Sequence, residues 1–152
     1  MAARNILIGL GNPSMSDDGA GLVVARAAHR HLVGFDLELS SAGGFEVVDR
    51  LLAYRTAAIV DSMVTGEHPP GTAVRLELPG ARTLRTVGSH GIGLAEAIGL
   101  ARGWGAPVAG RILLFGIEVI EPFKVGDQIS PRVLDRVEAA AAEIADVIKG
   151  ES

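Results

Sequence analysis

Three short polar clusters in the sequence carry side chains that are able to bind a metal ion or to act on a substrate. The first contains Asp17 and Asp18, the second contains Asp61, and the third is Ser89-His90-Gly91. Each also has an ordinary structural interpretation: an aspartate before a helix caps it, an aspartate after a strand forms a turn, and a histidine hydrogen-bonds locally. Two adjacent acids are more than a cap requires, however, and neighbouring residues at a helix start point in different directions. One acid of this pair can therefore cap the helix while the other faces a cleft.

The three clusters supply a ligand set for a divalent metal ion. Asp18 and Asp61 offer carboxylate oxygens and His90 offers an imidazole, and the absence of cysteine leaves no thiolate to compete with them. Such a set suits Zn, Ni, Mn or Fe and leaves coordination positions open. An ion of this kind polarises a carbonyl group and lowers the pKa of a bound water, so the residues predict hydrolysis. We expect Asp18 and His90 to be partly exposed.

Alternating strands and helices position these residues. The predicted strands are Ile6–Ile8, Phe35–Ser40, Ala57–Asp61, Ala73–Leu78 and Arg111–Ile117. The predicted helices run from Gly19 to about Leu32, over Phe45–Leu52, over Gly91–Trp104, and as one helix from Ser130, its cap, to Gly150.

The strand patterns differ in a way that predicts the layout of the sheet. Ala57–Asp61 is continuously apolar, as in a parallel sheet covered on both faces, whereas Ala73–Leu78 alternates like an edge strand. The pattern predicts a three-layer α/β/α fold of the phosphorylase/hydrolase-like kind. Its sheet has about five strands, mostly parallel and twisted, with an antiparallel edge strand. Since ligands bind beyond the carboxyl ends of such strands, the three clusters should converge there.

Composition limits the classes of protein that this sequence can represent. A length of 152 residues with 48% hydrophobic content predicts a single domain over residues 1–152. The formal net charge of -4 argues against a nucleic-acid partner, and the apolar run near the start is too short to span a membrane. We therefore expect a cytoplasmic protein that binds neither nucleic acid nor membrane. We also expect it to be a monomer.

Other catalytic motifs are incomplete. The turn Gly9-Leu10-Gly11-Asn12-Pro13-Ser14 has Ser14 where a dinucleotide-binding fingerprint has its third glycine. The segment Gly88–Gly91 is not a nucleophile elbow, because the histidine directly follows the serine.

Several motifs in order resemble those of the hydrogenase maturation proteases, the endopeptidases that remove the C-terminal tail of the [NiFe] hydrogenase large subunit. The resembling segments are Gly9-Leu10-Gly11-Asn12, Asp17-Asp18-Gly19-Ala20-Gly21, Ala58–Ser62, Ser89–Leu94, and Gly116–Glu118 through Glu121-Pro122. The resemblance covers nearly the whole chain and implies a twisted sheet flanked by helices. It also implies that Asp18, Asp61 and His90 are both the metal ligands and the catalytic residues.

The resemblance further implies an unusual use of the metal. The nickel ion comes with the hydrogenase large-subunit precursor, so that cleavage follows nickel insertion, and no side chain of the protease acts as nucleophile. Other divalent ions such as Zn or Cd are able to occupy the same ligands. Two alternatives stay open: a non-catalytic module that binds the metal site of the precursor, and an enzyme like peptidyl-tRNA hydrolase, which shares the opening Gly9–Pro13.

Overall fold

The computed structural model describes residues 4–87 and 92–151 of the chain. Strands and helices alternate over most of this length, as the sequence predicts. The elements along the chain are β1 (Asn5–Leu10), a 3-10 turn (Ser16–Gly19), α1 (Ala20–His29), β2 (Phe35–Ser40), α2 (Phe45–Arg50), β3 (Thr56–Met63), β4 (Ala73–Leu76), α3 (Leu94–Gly103), β5 (Arg111–Glu118), α4 (Pro131–Leu134) and α5 (Val137–Gly150).

The described strands form one sheet in the order β2-β1-β3-β5-β4. The pairs β1–β2, β1–β3 and β3–β5 are parallel, and β4 is antiparallel to β5 at one edge. The predicted mostly parallel, five-stranded sheet with an antiparallel edge strand is therefore confirmed. Strand β3 lies at its centre; its pairing with β1 ends at Val60, and its last three residues, Asp61 to Met63, pair only with β5.

Different helices cover the two faces of the sheet, and successive side chains of β1 point to opposite faces. Leu7 belongs to the core formed with α1 and α5, whereas Ile6 and Ile8 belong to the core formed with α2 and α3. All three are buried, and burying a side chain of this size stabilises the fold by about 1.5–3 kcal/mol. The predicted three-layer arrangement is confirmed, and it explains why the central strands are apolar at consecutive positions.

The prediction of one continuous C-terminal helix is wrong. The structure divides it into α4 and α5, and Arg136 between them donates its N–H to the carbonyl of Val133, three residues back, at 3.0 Å. Gly71 packs directly against this break, since a Cβ on that glycine would lie 2.5 Å from the Cβ of Arg136. Ser130 precedes α4, but its side chain makes no cap hydrogen bond, because its hydroxyl donates to Asp17.

Several predicted boundaries also shift. Strand β3 continues past Asp61 to Met63, because its pairing with β5 extends to Met63 opposite Glu118. Helix α3 begins at Leu94 rather than at Gly91, which lies outside the described residues, and Gly93 before it has extended backbone with φ −73° and ψ 165°. In residues 4–87 and 92–151, every helix is too short or too polar to cross a lipid bilayer.

Candidate functional site

Two glycines bring the turn before α1 against the ends of β1 and β3. A Cβ on Gly11 would lie 2.2 Å from the carbonyl oxygen of Asp18, and a Cβ on Gly21 would lie 2.3 Å from the carbonyl oxygen of Leu10. The same added Cβ on Gly21 would lie 3.3 Å from the Cα of Asp61. Neither position has room for a side chain, so glycine permits the close approach that places Asp18 beside Asp61.

Asp17 is fully buried and holds distant segments of the chain together. Its Oδ2 accepts hydrogen bonds from the N–H groups of Ile120 and Glu121, both at 2.9 Å, and from the hydroxyl of Ser130 at 2.8 Å. Its Oδ1 accepts the N–H of Ser130 at 2.6 Å. Burial alone would raise the pKa of this carboxyl, but these hydrogen bonds hold it below its usual value. Asp17 is thus a structural residue that anchors the segment after β5.

The prediction that one of the two adjacent acids caps the helix is wrong, because neither carboxylate makes a cap hydrogen bond to the 3-10 turn or to α1. Their roles nevertheless differ as expected. The backbone at Ser16, which leads into both acids, has a φ of 43°, a region that L-residues seldom adopt. This unusual turn directs consecutive carboxylates into different surroundings.

Asp18 is paired with a cation. Its Oδ1 accepts the hydroxyl of Ser62 at 2.7 Å and Nη1 of Arg85 at 2.5 Å, and its Oδ2 accepts Nη2 of Arg85 at 2.6 Å. Two parallel hydrogen bonds of this kind form the strong bidentate geometry of arginine with a carboxylate. The expectation that Asp18 is partly exposed is wrong: it is 6% exposed, because Arg85 covers it.

Asp61 is completely buried next to Asp18. Its Oδ1 accepts the N–H of Ser62 at 2.9 Å and Nη1 of Arg85 at 3.1 Å, and its Oδ2 accepts the backbone N–H of Arg85 at 2.7 Å. Burial raises the pKa of the Asp61 carboxyl, although the charge of Arg85 and hydrogen bonds from Thr83 and Arg85 oppose the rise. Asp61 therefore reaches across to another segment and does not form a local turn.

Arg85 joins the two acids and was not expected from the sequence. Its side chain is 14% exposed, and its Nη1 contacts both carboxylates. Burial alone would lower the pKa of its guanidinium, but hydrogen bonds to Asp18 and the charges of both acids hold it above its usual value. No local pattern distinguishes Arg85, because it lies in an irregular segment between β4 and α3 together with another arginine, Arg82.

The third predicted ligand, His90, lies outside the described residues. The chain is next to the site on either side of that gap, since the N–H of Leu94 donates to the carbonyl of Arg85 at 2.8 Å. Within residues 4–87 and 92–151, no three acidic, histidine or cysteine side chains are grouped so that they could hold a metal ion. The structure thus brings together two of the three predicted ligands.

The two placed acids suit a divalent cation. They are oxygen donors, and a single nitrogen of Arg85 is within hydrogen-bond distance of both, so one positive centre is able to contact both carboxylates. Hard divalent ions prefer such ligands, and an imidazole would extend the set to Zn or Ni. Asp18 and Asp61 therefore fit the metal chemistry predicted from the sequence.

A cleft of 720 Å³ opens over Asp18 and Arg85. Exposed apolar side chains line it, among them Val64 and Phe123, the latter 76% exposed. Gly43 and Gly44 also line it. A cleft with apolar walls and a charged floor is able to accept a polypeptide segment.

The comparisons with known proteins agree with this architecture. No protein-family model matches the chain. It is 28% identical over 141 residues to the hydrogenase expression/formation protein HupD of Thiocapsa roseopersicina, and the match covers 89% of this chain and 63% of the length of HupD.

Two solved structures extend the comparison to the fold. The hydrogenase maturating endopeptidase HybD from E. coli aligns with a TM-score of 0.79 at 20% identity, over 98% of this chain and 94% of that one. The [NiFe] hydrogenase maturation protease HycI from Thermococcus kodakarensis KOD1 aligns with a TM-score of 0.67 at 21% identity, over 97% and 93% of the two chains. The chain is thus similar in sequence to a hydrogenase expression/formation protein and shares the fold of two hydrogenase maturation proteases, which agrees with the resemblance that the motifs carry.

Proposed function

We propose that this protein is an endopeptidase that removes the C-terminal tail of a [NiFe] hydrogenase large-subunit precursor after nickel has been inserted. Three observations support the proposal. The chain is similar in sequence to a hydrogenase expression/formation protein, it shares the fold of two maturation proteases, and two buried acids, of which Asp18 lines the cleft, meet at Arg85.

The convergence of Asp18 and Asp61 on Nη1 of Arg85 is the observation that carries the proposal. In the proposed complex these two acids, with His90 as the third ligand, bind the nickel ion of the precursor. The nickel is thus part of the substrate and reports that metal insertion is complete. Zn or Cd is able to take the place of nickel on the same ligands.

The residues around the two acids keep them oriented toward such an ion. The Ser62 hydroxyl donates to Asp18, and the N–H groups of Ser62 and Arg85 donate to Asp61, so three donors outside the guanidinium fix the carboxylates. A divalent ion bound by such ligands polarises a carbonyl or lowers the pKa of a bound water. The apolar wall near Val64 and Phe123 holds the tail and limits the access of bulk water.

The test is to incubate the protein with nickel-loaded and with nickel-free precursor and to follow the precursor by mass spectrometry. We expect the mass to fall by that of one C-terminal peptide, and only in the nickel-loaded sample. An unchanged mass in both samples would contradict protease activity. If a stable complex with nickel-loaded precursor formed in that case, the protein would be the non-catalytic binding module.

A further inference from the structure

The guanidinium group of Arg85 lies between the two acids that the proposed function assigns to nickel binding. Its Nη1 is 2.5 Å from Asp18 Oδ1 and 3.1 Å from Asp61 Oδ1. We propose that Arg85 is an internal competitor that keeps free metal ions out of this site and is displaced only by nickel presented in a docked precursor. The inference rests on the proposed function, because it takes Asp18 and Asp61 as nickel ligands.

Arg85 and a metal ion cannot share the site. A Zn-type ion lies about 2.0–2.2 Å from a carboxylate oxygen that binds it. An ion at that distance from both acids would overlap the space that Nη1 fills, and its positive charge would repel the guanidinium. Binding of a divalent ion by Asp18 and Asp61 therefore requires the Arg85 side chain to leave.

The charge of the site favours a divalent occupant over the guanidinium. Asp18 and Asp61 carry two negative charges when both are ionised, and Arg85 supplies one positive charge. Both acids are buried, where an unbalanced charge is costly. A dication balances the pair, whereas Arg85 leaves one negative charge, so a divalent ion delivered to the site is able to replace the guanidinium.

The local structure lets the side chain of Arg85 leave without disturbing its backbone. Its N–H donates to Asp61 at 2.7 Å and its carbonyl accepts from Leu94 at 2.8 Å, so the main chain is fixed at both ends. The side chain lines the cleft beside Gly43, whose missing Cβ would lie 3.5 Å from the Arg85 Cγ. Rotation into the cleft exposes the two acids.

A free ion and a precursor differ in the binding energy that they bring. A hydrated ion gains only the contacts with its ligands, whereas a docked polypeptide also buries the exposed side chains of Val64 and Phe123 at the cleft. Linking the two interactions makes metal capture effectively intramolecular. Arg85 thus raises the binding free energy that is needed to occupy the site. A free ion does not supply this free energy, whereas a nickel-loaded precursor does.

The test compares the affinity of the whole protein for Ni²⁺ alone, measured by isothermal titration calorimetry, in the wild type and in Arg85→Gln. The matched control is Arg82→Gln, because Arg82 lines the same cleft and is not among the carboxylate contacts described. We expect Arg85→Gln to bind Ni²⁺ at least tenfold more tightly than the wild type, and Arg82→Gln to bind it within about twofold of the wild type. Equal or weaker binding by a folded Arg85→Gln would overturn the proposal.

Arg85→Lys keeps the test decisive if Arg85→Gln fails to fold. Lysine retains the charge but lacks the planar fork that contacts both acids. We expect its affinity for Ni²⁺ to exceed that of the wild type, and no increase would again overturn the proposal. A cleavage reaction with nickel-loaded precursor, run on the wild type in parallel, tests the proposed function separately: its failure leaves the affinity ratio measurable, and its success does not depend on that ratio.

Discussion

Asp17 and Asp18 are adjacent, buried and chemically identical, yet the two regions around them are built differently. Asp17 accepts hydrogen bonds from three backbone N–H groups and one hydroxyl, all from the segment after β5. Within the described part of the chain, Asp18 accepts hydrogen bonds only from the side chains of Ser62 and Arg85. The backbone donors around Asp17 cannot leave without unfolding the segment, whereas a side chain is able to rotate away. The kind of partner, and not burial, therefore distinguishes the structural acid from the acid that is able to bind a ligand.

The contrast between Asp17 and Asp18 predicts that the largest effect of a substitution is a loss of activity at Asp18. Asp18→Asn should lower tail removal from nickel-loaded precursor by at least about a hundredfold, because it removes a metal ligand of the proposed site. It should lower the free energy of unfolding less than Asp17→Asn does, since Arg85 retains Asp61 as a partner and its side chain is able to turn into the cleft. Precursor mass against time gives the rate, and urea unfolding gives the stability.

A matched variant exists in the same chain. Asp127 is exposed in the loop before α4, and its carboxylate contacts only the neighbouring Gln128 among the partners described. Asp127→Asn should cleave at the rate of the wild type. Normal cleavage by Asp18→Asn would show that this acid is only structural, and the contrast with Asp17 would then be lost.

The next effect is on stability and concerns Asp17. Asp17→Asn should lower the free energy of unfolding by about 3 kcal/mol, because an amide nitrogen would face N–H donors where a charged acceptor now stands. Urea unfolding measures the change, and Asp127→Asn should remain within about 0.5 kcal/mol of the wild type. A loss as small as that in Asp17→Asn would contradict the structural role.

The stabilisation from Asp17 should depend on pH in a defined direction. Its pKa is lowered by folding, so the folded state favours the ionised form. The advantage of the wild type over Asp17→Asn should therefore be fully present above about pH 5 and should shrink as the pH falls below about 4. Urea unfolding of both proteins at several pH values tests this, and a difference that stays constant down to pH 3 would contradict it.

The sequence predicts the sheet and two of the site residues for clear physical reasons. Apolar periodicity reports which faces are buried, and parallel strands end at one edge, so acids after β1 and near the end of β3 meet there. Partners distant in the chain leave no such pattern. Arg85 is separated from Asp18 by 67 positions, and Ser130 from Asp17 by 113. The cap predicted for Ser130 failed for this reason, because its hydroxyl binds an acid that local sequence does not reveal.

Glu118 offers a smaller test of the same contrast. Its buried carboxylate accepts the N–H groups of Thr65 and Gly66 at 2.8 and 3.2 Å and the hydroxyl of Thr65, so main-chain donors again supply most of its partners. Thr65→Val removes the hydroxyl and leaves both amides, and it should lower the free energy of unfolding by about 1 kcal/mol. Thr65→Ser, which keeps the hydroxyl, should lie closer to the wild type. If Thr65→Val destabilised the protein as much as Asp17→Asn, backbone donors alone would not be enough to hold a buried acid, and the distinction between the acids would need another cause.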